Sequence, residues 1–140
     1  MTVLNSGGIS AVNSINFGVQ KLVEATTLTA ADNGKTFLLA LAGGFTVTLP
    51  SNSVAGFRCR FLVKIAPTTA YIIAAATADS IYGRVFAGTG GDEDFDAAGD
   101  TVEFVASTAL IGDYVDIFID GEKVFANGFC DVTGSITVSG

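Results

Sequence analysis

The sequence contains no histidine, no tryptophan and only two cysteines among its 140 residues. Histidine is the commonest general base and the commonest transition-metal ligand, so its absence removes the usual activator of a serine or threonine nucleophile. The two cysteines, Cys59 and Cys130, are too far apart in the chain to fit a metal-ligand spacing. We therefore expect no catalytic residue, no bound metal and no cofactor, and we predict that the chain is not an enzyme.

The sequence also lacks the hydrophobic runs that direct a chain to membranes. No run reaches the roughly 18 apolar residues of a membrane span, and the first residues have no basic, apolar leader pattern. We expect a soluble protein without a membrane span, made in the cytoplasm. Cys59 occupies an apolar strand position, which favours a buried free thiol, although a disulfide with Cys130 stays open.

Charged residues are scarce, at 15% against an average of about a quarter, while hydrophobic residues make up 49%. This balance suggests that partner molecules cover part of the surface; a monomer with loops rich in Ser, Thr and Gly is the alternative. The net charge of −7 argues against nucleic acid as a partner. Arg58, Arg60 and Lys64 share one strand face, which is more typical of a solvated face, or of partners for an acidic loop, than of a phosphate track.

Short runs with alternating apolar residues dominate the chain. The clearest region is residues 28–65, where three strand-like runs are separated by a turn at Gly43-Gly44 and by a loop at residues 51–56. Further runs cover residues 71–76, 79–86, 101–106, 113–120 and 123–126, and Gly83 reads as a bulge or bend. Such spacing without a long helical pattern predicts an all-β fold, an antiparallel β-sandwich or barrel of jelly-roll-like type.

The two ends of the chain differ from its middle. Residues 1–20 are rich in Asn, Ser and Gly and form either a frayed terminus or, as we favour, an extended N-terminal arm that docks on a neighbour. Residues 21–128 are predicted to be the β domain, and residues 129–140 a C-terminal edge strand or a second tail. The hydrophobic residues of the arm are the candidate contacts with that neighbour: Ile9, Val12, Ile15, Phe17 and Val19.

One loop, residues 87–100, concentrates acidic residues. Its carboxylates Asp92, Asp94 and Asp96, with Glu103, fit the first, third, fifth and twelfth places of a calcium-binding loop. Ala97 replaces the glycine that such a loop needs, and the flanks read as strands, so calcium is disfavoured. The remaining interpretations are a solvated loop and an electrostatic contact with a basic partner surface. For the contact, the candidate residues are Asp92, Glu93 and Asp94.

Three segments carry a resemblance to a known family. Residues 28–37 (LTAADNGKTF), 44–50 (GFTVTLP) and 56–61 (GFRCRF) resemble a pattern in the head decoration, or cement, proteins of tailed bacteriophages and in some fibre modules. The resemblance covers about a quarter of the chain. It implies a β-rich virion protein, commonly a homotrimer, that binds the outside of an assembled capsid and stabilises it.

The same resemblance implies the partners. The arms would contact the major capsid protein and neighbouring subunits at the capsid surface. The alternative is a receptor- or glycan-binding β module of a phage head or tail fibre, for which the three tyrosines Tyr71, Tyr82 and Tyr114 are candidate sugar contacts.

Overall fold

The computed structural model describes residues 18–89 and 93–140, and it describes side chains outside residues 93–97. These residues form twelve strands and one short 3-10 helix, which confirms the predicted all-β fold. No helix in the described part of the chain is long or apolar enough to cross a membrane. The strands are β1 (Val19–Leu22), β2 (Thr26–Thr27), β3 (Thr36–Leu39), β4 (Phe45–Thr48), β5 (Arg58–Val63), β6 (Tyr71–Ala74), β7 (Ile81–Thr89), β8 (Glu93–Gly99), β9 (Thr101–Phe104), β10 (Tyr114–Ile119), β11 (Val124–Val132) and β12 (Ile136–Ser139).

The strands form two sheets that pack face to face as a sandwich. The larger sheet has the order β1-β3-β5-β10-β11-β7-β8, and the smaller has the order β12-β9-β6-β4-β2. In strands such as β5 and β10, alternate residues point between the sheets, where they are buried. The largest fully buried side chains of this core include Tyr71, Phe37, Phe57, Phe61 and Phe104.

The pairing of the strands differs from the predicted antiparallel arrangement. Of the ten pairings between described strands, five are antiparallel and five are parallel. From β1 to β7, successive strands alternate between the two sheets, so β3 and β5 stack parallel to β1, and β4 and β6 stack parallel to β2. Strands β1 to β6 therefore form a flattened coil, in which the chain passes to the other sheet after each strand. An alternating sequence shows which side chains are buried but not which sheet the next strand joins.

The structure also locates the segment boundaries suggested by composition. Residue 20 lies inside β1, where Val19 pairs with Thr36, and residue 128 lies inside β11. The last strand, β12, pairs antiparallel with β9 at the edge of the smaller sheet. Most of the expected arm, residues 1–17, lies outside the described residues. Its docking on a neighbour therefore stays a prediction.

Gly83 is not the site of a bulge. The register between β7 and β8 shifts between Ile81 and Tyr82, which pair with Gly99 and Ala97. The extra residue is therefore Ala98 on β8, which takes a φ of 75°. Gly83 instead lies on the buried side of β7, facing the other sheet.

Candidate binding face

The outward side of four neighbouring strands of the larger sheet carries a dense set of aromatic and arginine side chains. Because neighbouring strands are in register, outward residues line up in three rows that cross β5, β10, β11 and β7. We call this surface the aromatic–arginine face. Its residues are Arg58, Phe118, Phe125 and Tyr82 in the first row, Arg60, Asp116, Asn127 and Arg84 in the second, and Leu62, Tyr114, Phe129 and Phe86 in the third.

The first row is a line of rings with a cation at each end. The ring of Phe118 lies 6.3 Å from that of Phe125, which lies 6.1 Å from that of Tyr82. The guanidinium carbon of Arg58 lies 4.4 Å from the centroid of Phe118, and Lys123 Nζ lies 5.6 Å from that of Tyr82. Cations are attracted to ring faces, so the two ends of the row are capped electrostatically.

The third row is more apolar and more exposed. The rings of Tyr114 and Phe129 are nearly parallel, with centroids 6.4 Å apart. Phe129 and Phe86 keep 48% and 43% of their surface accessible to solvent. Large apolar side chains with this exposure on one continuous sheet face are typical of a surface that a partner covers.

The second row, between the two aromatic rows, is polar. Arg60 donates from Nε and Nη2 to the two carboxylate oxygens of Asp116, at 2.7 and 2.9 Å. The Arg60 guanidinium carbon also lies 4.2 Å from the ring centroid of Tyr114. These hydrogen bonds raise the pKa of Arg60 above its ordinary value. Two-point bonding and ring contact together hold the guanidinium in one orientation.

The arginines change what the face can bind. Because guanidinium groups cover ring faces of Phe118 and Tyr114, a sugar or base could stack on these rings only by displacing them. The face offers a partner guanidinium groups, Asn127 and aromatic side chains. Tyr, Phe and Arg are enriched where proteins contact each other, so the arrangement is suited to binding rather than to chemistry.

A pocket opens at the end of the face, where β3 and β5 begin. Its volume is about 380 Å³, and its lining includes Gly34, Lys35, Arg58, Arg60 and Asp116. The volume is within the range of small-ligand sites, which is about 300–1,000 Å³. The pocket is therefore a second element of the site, continuous with the first and second rows through its two arginines.

A capped helical turn, Ala30–Asp32, comes just before the lining residues Gly34 and Lys35 in the chain. The side chain of Thr29 accepts from the amide of Ala31 at 3.3 Å, and Asp32 accepts from the amide of Thr29 at 3.0 Å. Lys35 Nζ donates to Asp32 at 2.7 Å and to Gln20 at 2.9 Å. Burial alone would raise the pKa of Asp32, but the hydrogen bonds from Lys35 and Thr29 lower it overall, so Asp32 stays ionised and compensates Lys35.

Charge divides sharply along the chain, and the basic part supplies one flank of the larger sheet. Five of the seven basic residues but only two of the fourteen acidic residues lie in residues 18–64, which gives that part a net charge of +3. Residues 65–140 carry the remaining two basic and twelve acidic residues, a net charge of −10. Strands β1, β3 and β5 form one flank of the sheet and β7 and β8 the other, so the pocket lies on a basic flank of an acidic protein.

The three sequence-predicted contact residues that the structure describes, Val19, Glu93 and Asp94, are not brought together at this site. Val19 is exposed on edge strand β1, whereas Glu93 and Asp94 lie on β8 at the opposite edge of the sheet. The side chains of Glu93 and Asp94 are outside the described part of the structure. The other predicted contacts, Ile9, Val12, Ile15, Phe17 and Asp92, also lie outside the described residues.

Two of the three candidate sugar-binding tyrosines lie on the face. Tyr82 is in the first row and Tyr114 in the third. Tyr71 is fully buried, where its hydroxyl donates to the carbonyl of Ile65 at 2.8 Å and accepts from the amide of Leu41 at 3.1 Å. Tyr71 is therefore a core residue that joins two loops, and the proposal that it contacts sugar is wrong.

The thiols and the acidic groups provide no reactive centre among the described residues. Cys59 and Cys130 are both free and buried, which confirms the expected free thiol at Cys59. Burial, with the nearby carboxylates of Asp116 and Asp32, raises the pKa of Cys59. Glu103, the last residue of the calcium-like spacing, lies on β9, and the described residues contain no group of three acidic, Cys or His side chains placed to hold a metal ion.

Sequence reasoning missed the aromatic–arginine face although a signal was present. Strand β10 has Phe118 between the buried residues Ile117 and Ile119, and β11 has Phe125 and Phe129 between buried positions. A strand that is apolar on both sides, in a sheet covered on one side only, indicates a second packing surface.

Comparisons with known proteins found no relative of this chain. No protein-family model, no curated protein and no solved structure matches it.

Proposed function

We propose that this chain is a non-catalytic structural protein of a phage virion, which binds the outside of the capsid and stabilises it as a decoration protein. The observation that supports this function best is the aromatic–arginine face. It is a continuous face of the larger sheet, and it combines residue types that are frequent at protein interfaces. A protein that clamps capsid subunits needs a binding surface on a packed domain, and the face on this sandwich would supply part of that surface.

The size of the face bears on how the protein would assemble. Four strands spaced about 4.8 Å apart, crossed by three rows about 6.7 Å apart, cover roughly 390 Å². A standard protein interface takes about 800 Å² from each partner. The proposal therefore includes further contacts, from residues 1–17 and from a homotrimer that would multiply each subunit's binding to the major capsid protein.

Capsid co-sedimentation tests the proposal. The purified chain is mixed with capsids assembled from the major capsid protein of the same phage, and bound protein is measured after centrifugation. We expect saturable binding that falls at least tenfold in Phe129→Ser. The matched control is Ile111→Ser, which removes a side chain that is 71% exposed in the loop before β10. No binding by the unaltered chain, or equal losses in both variants, would reject the proposal.

Glycan binding is the second candidate, because Tyr82 and Tyr114 both lie on the face. In this case sugar rings would stack on Tyr82, whereas Tyr114 would first have to release Arg60. A glycan array with the isolated protein separates the two functions. Selective binding that is lost in Tyr82→Ala would favour the receptor module, and an array without signal would leave the capsid role.

A further inference from the structure

We propose that the pocket beside Arg58 binds a carboxylate side chain on an acidic segment of a partner protein. The inference rests on the proposed function for the existence of a protein partner, and it specifies the chemistry that the partner presents. Its basis is the charge balance of the pocket. The pocket lies on the basic flank of the larger sheet, whereas the protein as a whole is acidic.

The charges around the pocket leave one cation uncompensated. Lys35 is paired with Asp32 and Arg60 with Asp116. No carboxylate in the described part of the chain lies within salt-bridge distance of Arg58. The pocket and its rim therefore carry three cations and two anions, and the excess positive charge belongs to Arg58.

Arg58 is held in place for a ligand. Its guanidinium rests on Phe118, and its backbone amide donates to Asn33 Oδ1 at 2.8 Å. A guanidinium has five N–H donors in a fixed plane that match the two oxygens of a carboxylate. Lys35 has three donors and uses two, on Asp32 and Gln20, so one remains to add to the binding of an incoming carboxylate.

The surroundings favour a protein carboxylate over a polyanion. A nucleic acid would need several uncompensated cations in a track, and the net charge of −7 would repel it. Beside Arg58 the first row continues with the rings of Phe118 and Phe125. A segment that places a carboxylate on Arg58 and an apolar side chain along this row satisfies both features.

Peptide titration followed by ¹⁵N NMR tests the inference on the full chain. The probe is the peptide acetyl-Gly-Asp-Phe-Asp-Gly-amide, and the control peptide has Asn in place of both Asp residues. We expect the acidic peptide to shift the amides of Gly34, Arg58 and Asp116, with affinity at least tenfold weaker in Arg58→Gln. Lys64→Gln, which removes one positive charge just beyond the far end of β5, should bind normally.

The outcomes separate this inference from the proposed function. Equal shifts with the Asn peptide, or unchanged affinity in Arg58→Gln, would overturn the carboxylate pocket even if capsid binding persists. Peptide binding with no capsid binding would support the pocket and reject the capsid role. If Arg58→Gln lowers the sedimentation coefficient of the chain without peptide, the occupant is a second copy, and its assignment to a different protein is overturned.

Discussion

Gly83 of the larger sheet packs so closely against Val138 of the smaller sheet that residue 83 has no room for a side chain. A Cβ atom at Gly83 would lie 2.5 Å from Cγ2 and 2.8 Å from Cγ1 of Val138. Val138 is on the edge strand β12, and Gly83 is on the long strand β7. The missing side chain lets β12 close against β7 and complete the sandwich at this edge.

The first prediction follows from this contact. Gly83→Ala should lower the free energy of unfolding by about 1–3 kcal/mol, because the branched Val138 must move out of a packed position. Gly43→Ala is the control, since a Cβ there meets nothing within 4 Å and its φ is not positive. Urea denaturation measures both variants. A Gly83→Ala protein as stable as Gly43→Ala would contradict the close packing of the sheets.

The second prediction concerns the buried hydroxyl of Tyr71. Tyr71→Phe should lower the free energy of unfolding by about 1–3 kcal/mol, because the carbonyl of Ile65 and the amide of Leu41 each lose a buried hydrogen-bond partner. Tyr82→Phe removes a hydroxyl from the half-buried ring on the outward face and should change stability by less than about 0.5 kcal/mol. Equal effects in the two variants would show that the hydroxyl of Tyr71 does not join the loops.

The third prediction is a loss of stability in acid. The pKa of Asp32 lies below its ordinary value of 3.8, so the stabilisation from this carboxylate is complete above that pH and is lost as the pH falls through the folded value. The pKa of Asp120 is also lowered, because the amides of Lys123 and Glu122 donate hydrogen bonds to its carboxylate. Denaturation at about pH 6 and about pH 3 should therefore give a lower midpoint in acid.

Substitution separates the contribution of Asp32 from the general effect of acid. Asp32→Asn should shrink the difference between the two pH values by less than about 1 kcal/mol, because the Asp32–Lys35 pair is partly exposed to solvent. Glu24→Gln, in the loop after β1, should leave the difference unchanged. An Asp32→Asn protein with the full acid effect would contradict the assignment.

The fourth prediction concerns the two buried thiols. Burial raises the pKa of Cys59 and of Cys130, so both are protonated and shielded from reagents in the folded protein. At about pH 8, a disulfide reagent should modify them on the order of 100-fold more slowly than in guanidinium, because reaction needs opening of the fold. Rapid titration of either thiol in native conditions would show that the sheets open easily at that cysteine.

Much of the strand content could be predicted from the sequence. The run from Phe45 contains β4 (Phe45–Thr48), and the alternation from Phe57 places Cys59, Phe61 and Val63 in the core as expected. These positions follow from local alternation, because a strand exposes its two sides to different environments. The residues that bracket each strand, such as Gly44 and Pro50, are also local signals.

The topology could not be predicted in this way. The turn at Gly43-Gly44 reads as a link between adjacent strands, but it carries the chain from β3 in one sheet to β4 in the other. That choice depends on packing between distant segments, and the local alternation of apolar residues carries no information about such packing. The candidate site was missed for a related reason. Arg58 and Phe118 are 60 residues apart in the sequence, and only the pairing of β5 with β10 brings them together.

The uneven division of charge along the chain has a consequence for how the molecule meets other surfaces. With a net charge of +3 in residues 18–64 and −10 in residues 65–140, the flank of the larger sheet formed by β1, β3 and β5 is basic while acidic residues predominate over the rest of the chain, so charge is unevenly distributed over the protein. A charged surface would therefore rotate the protein during its approach, before any side chain makes contact. The sign of the charge on that surface decides whether the basic flank or the acidic part of the protein faces it. Added salt screens the charges and weakens this preferred orientation.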